Sequence, residues 1–453
     1  KQYNSWYDWM LKITEENIMI SFKEIERGCT QYGLPPFDSY VVDNGWNNYN
    51  SDKYGVYDVG TSGTTYNQDG FWEFNDKFPN KFKNPSDFTR KISSNFGVWL
   101  GPRGGYVTPG KFGQMIEDAK KGFYNPQSDD IDVGSHTYLK NVQQLLVDFI
   151  KTYKVNYYKL DGFVEQPCFN EIHDYMVGGP DGLYYFTDLW ENVYVWYEDM
   201  IKTAKETGLD NFWISTTTWA APSPFQLQWS NSVWIQISGD KGEIIIGDNI
   251  NQADQCLTYR DDCYWQFYDE MELQFPARCL YNHDPIYGQA GTTLRGSLND
   301  DFFRTFLYGC AMRGTAFFEL YYTYDMLDEG DKWYISSDVL SWAEGNFDTL
   351  QHSQIFGGRP GIGEFYGFSA WNTTNGVIGI RNPGAEVVEE KIIIDRNIGV
   401  PEDIGTVYRS TLLDHKTENQ DETKNKVPFK YGDELKVTLV PGEYRIYEFR
   451  PTN

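Results

Sequence analysis

The feature that most constrains this chain is an alternation. As far as residue 355, short β-rich runs take turns with amphipathic stretches. Residues 39–45 (SYVVDNG), 96–100 (FGVWL), 155–160 (VNYYKL), 212–217 (FWISTT) and 233–237 (VWIQI) read as buried strands. Between them lie helical patterns. Leu139, Val142, Leu146, Phe149 and Tyr153 follow a 3.6-residue period, with Ser135 placed to cap the start. Phe302, Phe303, Phe306, Leu307 and Cys310 repeat the pattern after Asn299-Asp300-Asp301. Residues 4–9, the run ending at Tyr281 and residues 315–320 complete eight strand candidates, which predicts a (β/α)8 TIM barrel. An open doubly wound sheet is the alternative, weakened because no Gly-rich phosphate loop follows the first strand.

Beyond residue 355 the texture changes. Residues 365–372, 376–381, 390–395, 407–413, 435–439 and 443–449 are short strand candidates, separated by Asn-Gly, Pro-Gly and Tyr-Gly-Asp turns. The expected organisation is a catalytic barrel over 1–355 and a C-terminal antiparallel β-sandwich over 356–453, with 416–426 as a solvated hairpin tip.

Composition narrows the partners. With 39 basic against 65 acidic residues the formal net charge is −26, which argues against nucleic acid or an anionic membrane surface. Aromatic residues make up 17% of the chain, and rings without basic charge suit the C–H faces of sugars as well as a large core. No run of apolar residues is long enough to span a membrane. A soluble protein, secreted or at the surface of a bacterium, is the expected setting, with the cytoplasm kept open. The six cysteines form no Cys-x-x-Cys pair, and Cys256 with Cys263 is the one local bridge the spacing allows, beside the reading in which both are reduced. The five histidines lack metal-ligand spacing, so no metal or cofactor is expected. Asn372-Thr373-Thr374 matches a glycosylation sequon, a pattern too common to use.

In a barrel, reactive groups sit just past the C-terminal ends of strands. Asp43, Asp161, Asp240 and Asp284 all fall at such points. Carboxylates in pairs are what glycoside hydrolysis needs, one as nucleophile and one as general acid, then base.

Five motifs at strand ends then carry a resemblance. NSWYDW at 4–9, VDNGW at 42–46, GVWLGP at 97–102, YKLDG at 158–162 and YNHDP at 281–285 occur in the same order as in clan D glycoside hydrolases, the α-galactosidases and α-N-acetylgalactosaminidases. The chain resembles the family 36 branch, and its Lys-x-Asp-Gly step is also similar to family 27. The resemblance implies a retaining exo-α-glycosidase acting on terminal α-galactose or a 2-amino or 2-acetamido galactose. It makes Asp161 the nucleophile, Lys159 and Asp43 binders of sugar hydroxyls, and Asp240 the acid/base. It also implies that Trp6, Asn44, Gln236, Arg260 and Asp284 contact substrate and that Trp46 and Trp99 are candidate stacking platforms, with a core role as the alternative for both tryptophans. A rival acid/base lies in Tyr259-Arg260-Asp261-Asp262, where Asp262 is the candidate. Two departures bear on the substrate: Asn44 stands where the family has a second Asp, and Gln236 where it has an arginine, which favours a 2-amino or acetamido group over hydroxyl. A raffinose-type transglycosidase and a non-catalytic sugar-binding protein are the alternative functions.

Overall fold

The computed structural model describes residues 1–47, 72–104, 124–128, 130–164, 166–169, 174–247, 251–290, 299–316, 318–415 and 426–451. Among these, nine strands form one parallel sheet. In chain order they are β1 (Gln2–Asn4), β2 (Ser39–Val42), β3 (Asn95–Leu100), β6 (Val155–Asp161), β7 (Trp213–Thr217), β8 (Ser232–Trp234), β9 (Leu280–Tyr281), β10 (Ile286–Tyr287) and β11 (Glu319–Tyr322). A small ladder, β4 (Tyr124–Asn125) with β5 (Asp130–Ile131), lies apart. The sheet order runs β10-β11-β1-β2-β3-β6-β7-β8-β9, so its two ends are strands only four residues apart in sequence. Backbone bonds tie the stretch that carries both to the segment of β11: Ala316 N donates to Arg278 O at 3.0 Å and Tyr321 N to Pro285 O at 3.3 Å. The sheet is therefore TIM-like, with the run 280–287 acting as one interrupted stave.

Helices follow where the periodicity placed them. His136–Tyr153 starts at Ser135, whose side chain accepts from Tyr138 N, and Asp300–Met312 starts at Asn299, which accepts from Phe302 N. Their apolar stripes pack on the sheet in one continuous core. Gly97 shows how tightly the staves are filled: a Cβ there meets Tyr157 and Val41, each at 2.7 Å.

Three strand expectations need correction. Residues 4–9 are not a strand; β1 ends at Asn4, whose Oδ1 accepts from Trp6 N at 2.8 Å and turns the chain into the short helix Trp6–Trp9. The run at 233–237 stops at Trp234, because Gln236 takes a left-handed φ of 66°. The last stave begins at Glu319 rather than at 315.

The C-terminal region is antiparallel. A six-stranded sheet runs β12 (Gln354–Gly357), β13 (Tyr366–Trp371), β14 (Gly376–Arg381), β19 (Tyr444–Arg450), β16 (Val407–His415) and β17 (Val427–Phe429). A separate pair joins β15 (Val388–Ile393) to β18 (Glu434–Leu439). Ile378, Ile380 and Phe449 of the first sheet share a core with Ile392, Leu435, Val437 and Leu439 of the pair. The expected hairpin tip at 416–426 lies almost wholly outside the described residues. All six cysteines are free, so Cys256 and Cys263 form no bridge.

Candidate active site

The C-terminal ends of the staves open on a cavity of about 600 Å³, within the range of small-molecule sites. Trp6, Asp43, Asn44, Trp99, Lys159, Asp161, Gln236 and Asp240 line it together, as do Thr217, Trp219, Trp234 and His283.

The floor is built by alternation along β6. Lys159 and Asp161 are two residues apart and so face the same side. Lys159 is buried, and its Nζ donates to Asp43 Oδ2 and to Tyr321 Oη, both at 3.1 Å, with Glu319 Oε1 at 3.5 Å. Burial disfavours the ammonium, yet Asp43 and Glu319 outweigh it and hold the Lys159 pKa well above its ordinary value. Asp43 leaves β2 at a turn made by Gly45, whose φ of 119° is open to glycine. The turn leaves Asp43 and Asn44 at the cavity and returns Trp46 to the interior. Trp99 Nε1 donates to Asp161 Oδ2 at 3.0 Å.

Asp240 belongs to the loop after β8. Its side chain is 49% exposed; Tyr7 Oη donates to Oδ2 at 3.0 Å, and His283 Nε2 lies 3.8 Å from Oδ1. Burial, and then the Asp240 charge, pushes the Tyr7 phenol far up, so it stays a donor. His283 is buried between Trp234 and Tyr321, with ring centroids at 4.4 and 5.0 Å. Burial first, then Lys159 and Arg260, pulls its pKa well below the usual value, so the ring is neutral near pH 7.

Five expected site residues are not at the cavity. Trp46 is fully buried, donates from Nε1 to Trp99 O at 3.0 Å and packs on Phe74, Phe82 and Phe149; it is core, not a sugar platform. Arg260 and Asp284 do not line the cavity either. The guanidinium is buried behind the Asp240 loop and donates to Gly239 O at 3.2 Å, Asp240 O at 2.7 Å and Asp284 Oδ2 at 3.2 Å. The same Asp284 oxygen also accepts from Arg313 Nη1 at 2.8 Å. The rivals Asp261 and Asp262 sit in the helix Gln252–Trp265 and point to the C-terminal region. Asp261 accepts from Arg313 Nε and Tyr366 Oη, and Asp262 from Arg359 Nε at 3.1 Å and Gly361 N at 2.8 Å. Gln236 does line the cavity, but its Oε1 is held by Trp219 N at 3.1 Å.

Sequence reasoning missed Glu319. Fully buried, it accepts from Asn4 Nδ2 at 2.8 Å, and its Oε2 lies 3.5 Å from His283 Nδ1. Burial raises its pKa to about 7 against the opposing pull of Lys159. Period-two alternation puts Glu319 and Tyr321 on one side of the last stave, the signal that marked Lys159 with Asp161. Tyr7 and Trp219 carried no such signal, since a turn places the first and a left-handed loop residue (φ 64°) the second.

Comparison with solved structures follows this geometry. An α-galactosidase from Lactobacillus brevis matches with a TM-score of 0.64 at 11% identity over 100% of this chain. The family 36 α-galactosidase AgaA of Geobacillus stearothermophilus gives 0.60 at 12% identity, also over 100%. The chain shares the fold of the family 36 α-galactosidases. It spans about half of those proteins, 55% in both cases. α-Galactosidase I of Mortierella vinacea matches over 99% of this chain and 96% of its own, with a TM-score of 0.51 at 13% identity. At the level of sequence, no family profile and no curated protein matches. Among the described residues no acidic, histidine or cysteine cluster is arranged to hold a metal, and no helix is long and apolar enough to cross a membrane.

Proposed function

We propose that this chain is a retaining exo-α-glycosidase that releases terminal α-galactose, or its 2-amino or 2-acetamido form, from oligosaccharides or glycoconjugates. The observation that carries the reading is that Asp161 and Asp240, brought from two different staves, line one cavity whose floor holds the Lys159–Asp43 pair. In this reading the interrupted seventh stave completes a (β/α)8 barrel and the two C-terminal sheets make a β-sandwich. Solved neighbours include AgaA variants in complex with raffinose and stachyose, which favours an α-galactoside as the sugar handled here.

The chemistry has two steps. Asp161 attacks the anomeric carbon while Asp240 protonates the leaving oxygen; Asp240 then takes a proton from water, which opens the glycosyl ester with net retention. Trp99 Nε1 holds the nucleophile's orientation, and Lys159 with Asp43 supplies the polar floor for sugar hydroxyls. Tyr7 donates to Asp240 and holds the orientation of its carboxyl.

The test is p-nitrophenyl α-galactoside, α-galactosaminide and α-N-acetylgalactosaminide, with the first-formed anomer read by proton NMR. Release of the α-anomer supports the reading, and the preferred substrate names the 2-substituent that Gln236 and Asn44 face. Galactose binding without turnover replaces it with a sugar-binding protein. Transfer to sugar in preference to water replaces it with a transglycosidase.

A further inference from the structure

The Asp240 loop is held from below by a chain of buried charges that continues into the C-terminal sheet. Arg260 occupies the loop's backbone carbonyls and also donates to Ser238 Oγ. Its Nε reaches Asp284 Oδ2, the same oxygen that accepts from Arg313 Nη1. Arg313 Nε donates to Asp261 Oδ1 at 2.7 Å, and Asp261 Oδ2 accepts from Tyr366 Oη at 2.5 Å. Tyr366, on β13, accepts from Arg381 Nη1 at 3.1 Å, and Arg381, on β14, returns to Asp254 O at 2.7 Å and to Thr258 Oγ1 at 2.8 Å. Arg260, Arg313, Tyr366 and Arg381 are each 1% exposed.

This arrangement has more order than ion pairing needs. Positive and negative groups alternate from Arg260 to Asp261, and Arg381, beyond the Tyr366 phenol, pairs with Asp254, so each buried charge has an opposite neighbour, the condition under which burial is tolerated. A guanidinium presents its donors in a rigid fork, so fixing Arg260 at Asp284 fixes where its other nitrogens point. Those nitrogens set the carbonyls of residues 239 and 240, and the carbonyl of Asp240 sets where its carboxyl sits. Gln236, the position at which the resemblance expects an arginine close to the acid, offers no charge. Arg260, from the neighbouring helix, reaches the loop through its backbone carbonyls.

We propose that this relay makes the C-terminal sheet a positioning element for the proton donor: Tyr366, through Asp261, Arg313, Asp284 and Arg260, holds the Asp240 loop in register with the scissile bond. The inference rests on the glycosidase reading for its kinetic consequence but not for its structural one. Asp261, a rival for the acid/base in the sequence, becomes a positioning residue acting through Arg313.

The experiment compares wild type with Tyr366→Phe, Arg260→Lys and Arg359→Ala. The last breaks a junction ion pair, to Asp262, that is not on the relay. Two readouts are taken: amide hydrogen exchange over residues 237–243, and kcat/KM on aryl α-galactosides from phenyl to 2,4-dinitrophenyl. Tyr366→Phe and Arg260→Lys should speed exchange in 237–243. They should also lose about tenfold or more on the phenyl substrate and less than about twofold on the dinitrophenyl one, which needs no proton. Arg359→Ala should do neither. Unchanged loop exchange in both relay variants, or an equal loss across all leaving groups, overturns the proposal. A wild-type chain that cleaves no glycoside removes the glycosidase reading, and the exchange measurement then decides the relay alone.

Discussion

Two pairs of aspartates lie around the end of the TIM-like sheet, and their surroundings differ in kind. Asp161 and Asp240 border the cavity, where the donors to them are an indole N–H and a phenol. Asp261 and Asp262 lie at the junction with the C-terminal sheets, where arginines, a phenol and a backbone N–H take their oxygens. A carboxylate that must attack carbon or carry a proton needs an oxygen that a substrate atom can reach. One locked by guanidinium cannot change its charge without leaving a buried cation unpaired. In the proposed reading, reach and a guanidinium partner, rather than nearness to a strand end, separate chemistry from architecture.

The comparison breaks at once if Asp161→Asn turns over substrate. The expected loss is on the order of 10³-fold or more, with circular dichroism unchanged, since the substitution is nearly isosteric. Retention of more than a few per cent of the rate would move the nucleophile elsewhere. Next in size is Asp240→Ala, expected to lose about 10²–10⁴-fold on phenyl α-galactoside while largely sparing glycosylation by the 2,4-dinitrophenyl substrate. Azide should rescue its second step and give an α-glycosyl azide. Asp262→Ala should instead cost roughly 1–3 kcal/mol in urea unfolding, because the Gly361 N–H and Arg359 lose their acceptor, and should show no azide rescue. Rescue in Asp262→Ala alone would reverse the two regions.

The third test concerns charge. Because folding raises the Glu319 pKa from 4.5 to about 7, the folded chain binds this proton more tightly than the unfolded one. This group's contribution to stability therefore falls as pH rises from 4.5 to 7 and stays low above. Glu319→Gln removes that fall. The melting temperature of the variant relative to wild type should climb across this window, by an amount corresponding to a few kcal/mol at most; a flat difference would place the Glu319 proton outside it. The smallest effects separate the two tryptophans. Trp99→Phe should cost about tenfold in kcat/KM, the worth of one donor to a charged oxygen, while Trp46→Phe should lower stability by about 1–2 kcal/mol and leave kcat unchanged.

Much of this was legible beforehand. Alternation and caps located the staves and the main helices, and Lys159 with Asp161 was readable because period two puts both on one face. Trp46 and Arg260 were misplaced for a common reason. Each stands in a motif beside a site residue, and sequence shows adjacency without direction. Gly45 turns Trp46 inward, and a helix face turns Arg260 beneath the loop. Two edge strands, β12 and β17, were unread because neither has a run of alternating apolar residues long enough to mark it.

The interrupted stave has one more consequence. Along the sheet, β3 and β6 share five register pairs, whereas β8 with β9 and β10 with β11 share two each, as do β7 with β8 and β1 with β11. Of these thin places only the run 280–287 is also broken within a stave, by the segment 282–285, which offers His283 to the cavity and Asp284 to the arginines beneath. Local opening begins where the fewest ladder bonds must break together. Amides of Tyr281 and Tyr287 should thus exchange with solvent before those of Val98 and Tyr158, and each such opening slackens the wall of the cavity and its foundation in a single movement.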